Sequence, residues 1–240
     1  MKSEGSPEAA LAEILGALSA FADSGRPTQQ GENGPPDSAP AACPICRLIE
    51  RSVERALRTF FSEFVNDAEL RLHFRKSRGF CRAHSRLLDR CGDALGVAIV
   101  CADLAESTAE RWRAQALSAK PSLLARWRAM RSIPACTSCA AEAEAETRCA
   151  GALAAGLSGR EDVWQALESG SALCVRHVER VASLCEPAVA GRLIAVECAK
   201  MDALTQELKE FVRKNDYRFR AEPWGAERDS WRRALLRLRR

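Results

Sequence analysis

The sequence has few aromatic residues and no long hydrophobic segment. Aromatic side chains make up 6% of the 240 residues, with a single tyrosine. No apolar run approaches the roughly 20 residues that a membrane-spanning helix requires, so we expect no membrane partner. Residues 1–13 contain three glutamates and lack the basic segment of a secretory signal peptide. These features predict a cytoplasmic protein.

Motifs of several large enzyme classes are also missing. The sequence contains no glycine-rich phosphate-binding loop, no nucleophile elbow and no His-Glu-x-x-His helix. The adjacent acids Glu161 and Asp162 are predicted to open a helix, where negative side chains stabilise the helix dipole. The formal net charge of +4 is too small to indicate a nucleic-acid or membrane partner by itself. The sequence therefore favours a non-catalytic protein.

No segment alternates polar and apolar residues for long enough to predict a β-sheet. Ala, Leu, Arg and Glu dominate instead, and these residues favour helices. Apolar residues at helical spacing predict a short helix at 8–22 and longer helices at 94–117 and 186–213. Residues 23–42 are rich in Gly, Pro and Ser, which predicts a flexible linker. The predicted fold class is all-α.

The eleven cysteines are unusual for a chain of this length without a secretion signal. Such cysteines indicate metal ligands and buried thiols in a reducing compartment. Two series of three cysteines and one histidine follow the same spacing, offset by 93 residues: Cys43, Cys46, Cys81 and His84, then Cys136, Cys139, Cys174 and His177. Apolar positions between the ligands follow the same offset. This pattern indicates an internal duplication.

Three thiolates and one imidazole form a common closed zinc site, and such sites are usually structural. We expect each series to bind one zinc ion, because a 34-residue connection is long enough to return the second ligand pair to the first. Ligands three residues apart at a helix start project to the same side. The helix N-terminus also favours the thiolate.

Other interpretations of these residues stay open. The same ligands can hold an iron–sulfur cluster, and each CxxC motif can act as a redox dithiol, although the βαβ context of redox enzymes is absent. Scattered buried cysteines and core histidines are the simplest alternative. The remaining histidine, His73, is predicted to lie at the surface. The remaining cysteines are predicted to be small buried apolar residues: Cys91, Cys101, Cys149, Cys185 and Cys198.

A basic block at 111–131 interleaves arginines with Trp112 and Trp127. Arginine and exposed aromatic rings bind single-stranded nucleic acids, although a solvated helix face with packed tryptophans explains the same pattern. We favour the helix face. The acidic cluster at 142–146 can offset the charge of this block.

The C-terminal segment 213–240 carries ten basic and four acidic side chains. Four aromatic residues lie within it: Tyr217, Phe219, Trp224 and Trp231. Exposed rings invite aggregation, so we expect them to pack against the two long helices as a latch. The arginines of a final helix near 226–238 should then point outward. A sharper hypothesis is that Arg218, Arg220 and Arg232 line an anion-binding surface.

Several motifs resemble a known bacterial family. These motifs are Cys43-Pro44-Ile45-Cys46, Asn66-Asp67, Gly79-Phe80-Cys81-Arg82-Ala83-His84, Asp216-Tyr217-Arg218-Phe219-Arg220, Glu222-Pro223-Trp224-Gly225 and Asp229-Ser230-Trp231. They are similar to the family catalogued as domain of unknown function 6062, over roughly residues 43–236. The resemblance implies paired cysteine and histidine sites on a helical protein, and it implies no known activity. The second CxxC motif, Cys136-Thr137-Ser138-Cys139, lacks the proline of the first.

The predicted organisation is therefore an N-terminal helix and linker (1–42), two metal-binding repeats (43–135 and 136–215) and a C-terminal latch (216–240). We expect a zinc-binding interaction or scaffold protein with an unidentified protein partner. An iron–sulfur or thiol redox protein is the first alternative, and a nucleic-acid-binding module that uses block 111–131 is the second.

Overall fold

The computed structural model describes residues 6–19, 43–91, 93–117, 134–219 and 221–239. These residues form ten α-helices and contain no β-strand, which confirms the predicted all-α class. Within the same ranges, no helix is both long and apolar enough to cross a membrane. The predicted linker at 23–42 and most of the basic block, from residue 118 onward, lie outside the described residues.

The helices predicted at 8–22, 94–117 and 186–213 match three observed helices closely. The α-helices in chain order are α1 (Pro7–Ser19), α2 (Pro44–Thr59), α3 (Ala68–Lys76), α4 (Arg82–Cys91), α5 (Ala94–Leu117), α6 (Thr137–Gly159), α7 (Glu161–Ser169), α8 (Val175–Ala182), α9 (Pro187–Lys214) and α10 (Ser230–Arg237). A π-helical turn, Phe60–Phe64, extends α2, and short 3₁₀ segments occupy Tyr217–Phe219 and Ala226–Asp229. Glu161 and Asp162 lie in the first turn of α7, as expected.

The helices divide between two compact units. The first unit combines the residues up to Ile49 with those from Glu146 onward, and the second unit spans Glu50–Ala145. The first unit is therefore built from two stretches that are distant in sequence. The predicted repeat boundaries, 43–135 and 136–215, and the duplication itself describe a sequence pattern and stay predictions.

The core of the first unit includes the N-terminal helix. Ile14 and Leu18 of α1 are fully buried, as is Leu167 of α7. Helix α6 approaches α1 closely at Gly156, where an added Cβ would lie 2.8 Å from the Cδ1 atom of Leu11. Helix α1 is consequently part of a packed core.

The core of the second unit is a cluster of phenylalanines. Phe74 lies between Phe60 and Phe80, with ring centroids 4.8 Å from each. Arg78 and Gly79 then adopt positive φ angles of 58° and 96°. The left-handed conformation is easily adopted by glycine, and this turn leads the chain from α3 into Cys81 and α4.

An ion-pair group joins α3 to α5 in the second unit. Asp103 is only 5% exposed and accepts hydrogen bonds from Arg75 Nε at 2.7 Å and from Arg71 Nη2 at 3.1 Å. The hydrogen bonds from Arg75 and Arg71 outweigh burial and lower the pKa of Asp103 to about 2. The carboxylate is thus stabilised in the folded state.

The C-terminal segment folds back onto α9, but the contacts differ from those predicted. Tyr217 is 85% exposed, and Trp224 and Trp231 are each 41% exposed, so the expected burial of these rings is wrong. Ion pairs hold the segment instead: Lys214 Nζ lies 2.6 Å from Glu227, and Arg233 pairs with Glu207.

The arginines of α10 were expected to point outward, and this is wrong for Arg237, which is 8% exposed. Acidic residues on α9 explain the difference, because they attract arginines that the apolar pattern assigned to the solvent. Trp224 nevertheless contacts α9, because its ring centroid lies 5.3 Å from that of Phe211.

We expect Asp103→Asn to lower the free energy of unfolding at neutral pH by about 2 kcal/mol, because it weakens charge-assisted hydrogen bonds. The folded-state pKa lies below the ordinary value of 3.8, so this contribution is present above about pH 4 and is lost as the pH falls through about 2. Denaturant unfolding of both proteins from pH 7 down to pH 2 measures the difference. The exposed Asp202→Asn variant is the control, and a pH-independent difference for Asp103→Asn would contradict the prediction.

Candidate metal centres

The first unit contains a group of four side chains, Cys43, Cys46, Cys174 and His177, which we call centre 1. His177 Nδ1 lies 3.1 Å from the sulfur of Cys174, 3.3 Å from that of Cys46 and 3.4 Å from that of Cys43. The sulfurs of Cys46 and Cys174 are 3.6 Å apart. All four ligand atoms lie within 4.8 Å of one another, so centre 1 can hold one metal ion.

The second unit contains an equivalent group, Cys81, His84, Cys136 and Cys139, which we call centre 2. His84 Nδ1 lies 3.2 Å from the sulfur of Cys81, 3.4 Å from that of Cys139 and 3.8 Å from that of Cys136. The sulfurs of Cys81 and Cys139 are 3.6 Å apart. Centre 2 can likewise hold one metal ion.

The predicted grouping of the ligands is wrong, although all eight residues belong to one of the two groups that could hold a metal ion. Cys43 and Cys46 were expected to join Cys81 and His84, but they join the Cys174–His177 pair, and the two CxxH pairs are exchanged. Equal spacing in the two series cannot distinguish these arrangements, because either one satisfies the same 93-residue offset. The prediction chose the shorter connections.

The entropic advantage of a shorter connection is small. In centre 1, 127 residues separate Cys46 from Cys174, instead of the 34 that separate Cys46 from Cys81. The cost of loop closure grows with the logarithm of loop length, so the longer loop costs only about 1 kcal/mol more. Packing within each unit therefore decides which pairs meet.

All four ligand pairs share one local structure at a helix N-terminus. The carbonyl of the first cysteine accepts the hydrogen bond that begins the helix, for example from Arg47 N to Cys43 O at 3.1 Å and from Val178 N to Cys174 O at 2.9 Å. The second ligand follows in the first turn and projects to the same side. That the helix dipole favours the thiolate at each of these positions stays a prediction.

The distances fit a single tetrahedral ion. Zinc–sulfur bonds of about 2.3 Å and zinc–nitrogen bonds of about 2.0 Å place sulfurs about 3.8 Å apart and sulfur about 3.5 Å from nitrogen. The observed sulfur–sulfur distances of 3.6 Å match this geometry. The donor set of three thiols and one imidazole is also the one that zinc commonly binds.

The pKa values of the thiols diverge within each group: hydrogen bonds with Cys43 and Cys46 lower the pKa of Cys174, and backbone hydrogen bonds outweigh burial and lower that of Cys136. Burial, together with the neighbouring thiols Cys174 and Cys46, raises the pKa of the Cys43 thiol. Burial and the Cys81 thiol raise the pKa of Cys139 to about 12. Three adjacent thiols cannot all ionise without a compensating positive charge, which a divalent metal ion supplies.

Two glutamates outside the predicted ligand series face the histidines. Glu142 Oε2 lies 3.4 Å from Nε2 of His84, and Glu146 Oε1 lies 3.3 Å from Nε2 of His177. In each histidine, Nδ1 faces the sulfurs and Nε2 faces a carboxylate. Carboxylates in this position commonly orient metal-binding imidazoles and increase their basicity.

A signal for these glutamates was present in the sequence. Glu142 and Glu146 are four residues apart on α6, the helix that Cys136 and Cys139 open, so they share one helix face. Taken only as a local charge pattern, they form an acidic cluster with Glu144 that can offset the basic block. Glu144 is exposed, whereas Glu146 is only 13% exposed and accepts hydrogen bonds from Arg176.

The cysteines outside the two centres, and His73, differ in their exposure to solvent. Cys149 is buried and His73 is exposed, as expected. Cys101 and Cys198 are exposed, so their predicted burial is wrong, because they lie on outward faces of α5 and α9. Cys185 is half-buried. The side chain of Cys91 lies outside the described part of the chain.

The predicted anion-binding arginines do not meet in a single group among the described residues. Arg218 pairs with Asp216 at 2.6 Å, and the Arg232 guanidinium lies 5.0 Å from the ring centre of Trp231. Arg220 lies outside the described residues. An anion-binding role for these arginines stays a prediction.

The fold and the two centres together define an all-α protein with two Cys₃His groups that can bind metal. Residues 38–240 match the model of the "Family of unknown function (DUF6062)", and the chain belongs to this family. The resemblance found in the sequence is thereby confirmed.

A curated relative is an "Uncharacterized 23.9 kDa protein in xynA 3'region" from Caldicellulosiruptor sp. (strain Rt8B.4). It is 28% identical over 177 residues, which cover 73% of this chain and 83% of the relative. No solved structure matches the chain.

The exchanged grouping predicts the outcome of paired cysteine substitutions. Cys46→Ser with Cys174→Ser alters centre 1 alone, so we expect the protein to retain one equivalent of metal. Cys46→Ser with Cys81→Ser alters both centres, so both equivalents should be lost or strongly weakened. Elemental analysis of the purified variants gives the count, with Cys185→Ser as the control. If the first pair of substitutions removed both equivalents and the second pair only one, each CxxC motif would instead share a centre with the CxxH motif that follows it in the sequence.

Replacing Glu146 by Gln should weaken metal binding at centre 1 by about tenfold to a hundredfold, because the imidazole of His177 loses its carboxylate partner. Competition with a chromophoric chelator measures this affinity. Glu144→Gln, on the exposed face of the same helix, should leave it unchanged. Equal affinities in the Glu146 and Glu144 variants would show that Glu146 does not support the site.

Proposed function

We propose that this chain is a cytoplasmic, non-catalytic zinc-binding protein whose two centres are structural, and that it acts as an interaction or scaffold protein. The observation that carries this proposal is the closed ligand set of each centre. Each set has three thiols and one imidazole within 4.8 Å, with a carboxylate beyond the imidazole. A catalytic zinc site keeps one position open for water or substrate, whereas four protein ligands fill a tetrahedron.

The spacing of the ligand atoms favours zinc over an iron–sulfur cluster. In a cluster, the four protein ligands are distributed over two or four iron atoms, and the bridging sulfides lie between those atoms. Such ligands stand farther apart than the edge of one tetrahedron. The short distances at both centres suit a single ion, and zinc is the common ion for thiolate and imidazole ligands.

A structural role is supported by what each centre connects. Centre 1 links residues 43–46 to residues 174–177, which belong to the two separate stretches of the first unit. Centre 2 links residues 81–84 to residues 136–139 in the second unit. Structural zinc contributes on the order of 10 kcal/mol to folding in zinc-finger peptides, far more than the loop-closure cost of these connections.

An interaction role is supported by large apolar side chains that remain exposed. Val212 is 70% exposed, Tyr217 85% and Leu235 67%, and all three belong to α9, α10 or the segment that joins them. Exposed apolar side chains of this size are available for contact with another protein. We therefore expect the partner to be another protein.

Metal analysis tests the proposal directly. Protein purified without oxygen or added metal should contain two zinc ions per chain and be colourless. Removal of both ions with a chelator should lower the melting temperature, and readdition of zinc should restore it. A brown protein with visible absorption would support the iron–sulfur alternative. Fewer than two equivalents, or an unchanged melting temperature without zinc, would contradict the structural role.

A further inference from the structure

Helices α9 and α10 share a buried polar group close to centre 1. Glu197 is 4% exposed and Arg237 is 8% exposed. Arg237 Nη2 donates hydrogen bonds to the backbone oxygen and to Oε2 of Glu197, both at 2.8 Å. Lys200 Nζ lies 3.6 Å from Oε1 of the same carboxylate. We call these three residues the Glu197 cluster.

The Glu197 cluster holds the backbone that leads into centre 1. Leu173 N, directly before the ligand Cys174, donates a hydrogen bond to Glu197 Oε1 at 3.4 Å. Lys200 Nζ donates to the backbone oxygen of Gly170 at 3.2 Å and to that of Leu167. The carboxylate and the ammonium group therefore bind both ends of the segment 170–173.

The segment 170–173 is also held by a close contact with α1. A Cβ added at Gly170 would lie 2.7 Å from the backbone oxygen of Leu18, so α1 contacts the segment directly. Leu173 is fully buried and Cys174 is 1% exposed. Contacts outside the metal site therefore hold the backbone that leads directly into Cys174.

Burying a glutamate together with two cations costs desolvation free energy. Apolar side chains of similar volume commonly stabilise a core more than such a group does. We therefore explain the presence of the cluster by its position beside centre 1 and not by a contribution to the stability of the fold. Centre 1 with zinc carries three thiolates and one divalent ion, a net charge of about −1. The cluster carries one more positive than negative charge.

We propose that Arg237, acting through Glu197, is a positioning residue for centre 1, so that the C-terminal helix α10 is required for full metal retention there. The proposal rests on metal binding by the two centres and adds a specific role for the C-terminal segment. Centre 2 lies in the other unit and does not use these residues. The two centres of one chain should therefore respond differently to a change at Arg237.

Site-resolved cysteine alkylation of the full-length, zinc-loaded protein tests this difference. Thiols that bind zinc react slowly with an alkylating reagent, and mass spectrometry of the peptides follows each one separately. In Arg237→Gln, we expect Cys46 and Cys174 to react about tenfold faster or more, in line with losses at outer partners of metal ligands. Cys81 and Cys139, measured in the same sample, should react at the wild-type rate.

Two further variants separate positioning from general stability. Arg237→Lys keeps the charge and a donor toward Glu197, so it should restore much of the protection at centre 1. Arg228→Gln, an exposed arginine of the same C-terminal segment, should match the wild type. Equal acceleration at both centres would indicate general destabilisation, and unchanged rates at centre 1 would show that Arg237 does not position it. Either result overturns the inference.

The outcome is distinguishable from a failure of the proposed function. If the wild-type protein contains two zinc ions and only the site-specific acceleration is missing, the positioning role alone is wrong. If the wild-type protein contains no zinc, and its thiols at both centres react at the rate of free cysteine, the metal-binding proposal fails together with this inference.

Discussion

Three thiols and an imidazole gathered around one point are the constraint on which this structure depends. Buried thiols resist ionisation, as the raised pKa of Cys43 shows, and three adjacent thiolates repel one another. A divalent cation in each group would change this balance, because it would bind the thiolates and join the two helix ends that carry them. Each compact unit contains one such group, which can hold one metal ion.

The arrangement around each group repeats in detail. Each CxxC or CxxH pair opens a helix, and each imidazole faces sulfurs with Nδ1 and a glutamate with Nε2. Both glutamates come from α6, one helical turn apart. The surroundings differ, because centre 1 alone is bordered by the Glu197 cluster and α10. Two similar ligand sets thus have unequal environments, and unequal environments commonly produce different rates of metal release.

In the C-terminal segment, ion pairs take the place of the apolar packing that the sequence predicts. The aromatic residues at 217, 224 and 231 suggested a hydrophobic latch, yet these rings remain largely or partly exposed. Ion pairs from Arg233 and Arg237 to acidic residues of α9 hold the segment instead. Hydrophobic patterns predict burial well when no buried polar partner is present. Here the buried carboxylate of Glu197 pairs with Arg237, although the apolar pattern places that arginine in solvent.

The sequence by itself determined the helical class, the long helices α5 and α9, and all eight ligand candidates, since these depend on local periodicity and spacing. It also determined family membership, which the motifs at Cys43–Cys46 and Cys81–His84 indicated. Only the tertiary structure decided that Cys43 and Cys46 meet Cys174 and His177, that Glu142 and Glu146 face the histidines, and that Arg237 reaches Glu197. The physical reason is that loop-closure entropy separates short from long connections by only about 1 kcal/mol. Packing of distant helices, which has no local signature, therefore determines which ligand pairs meet.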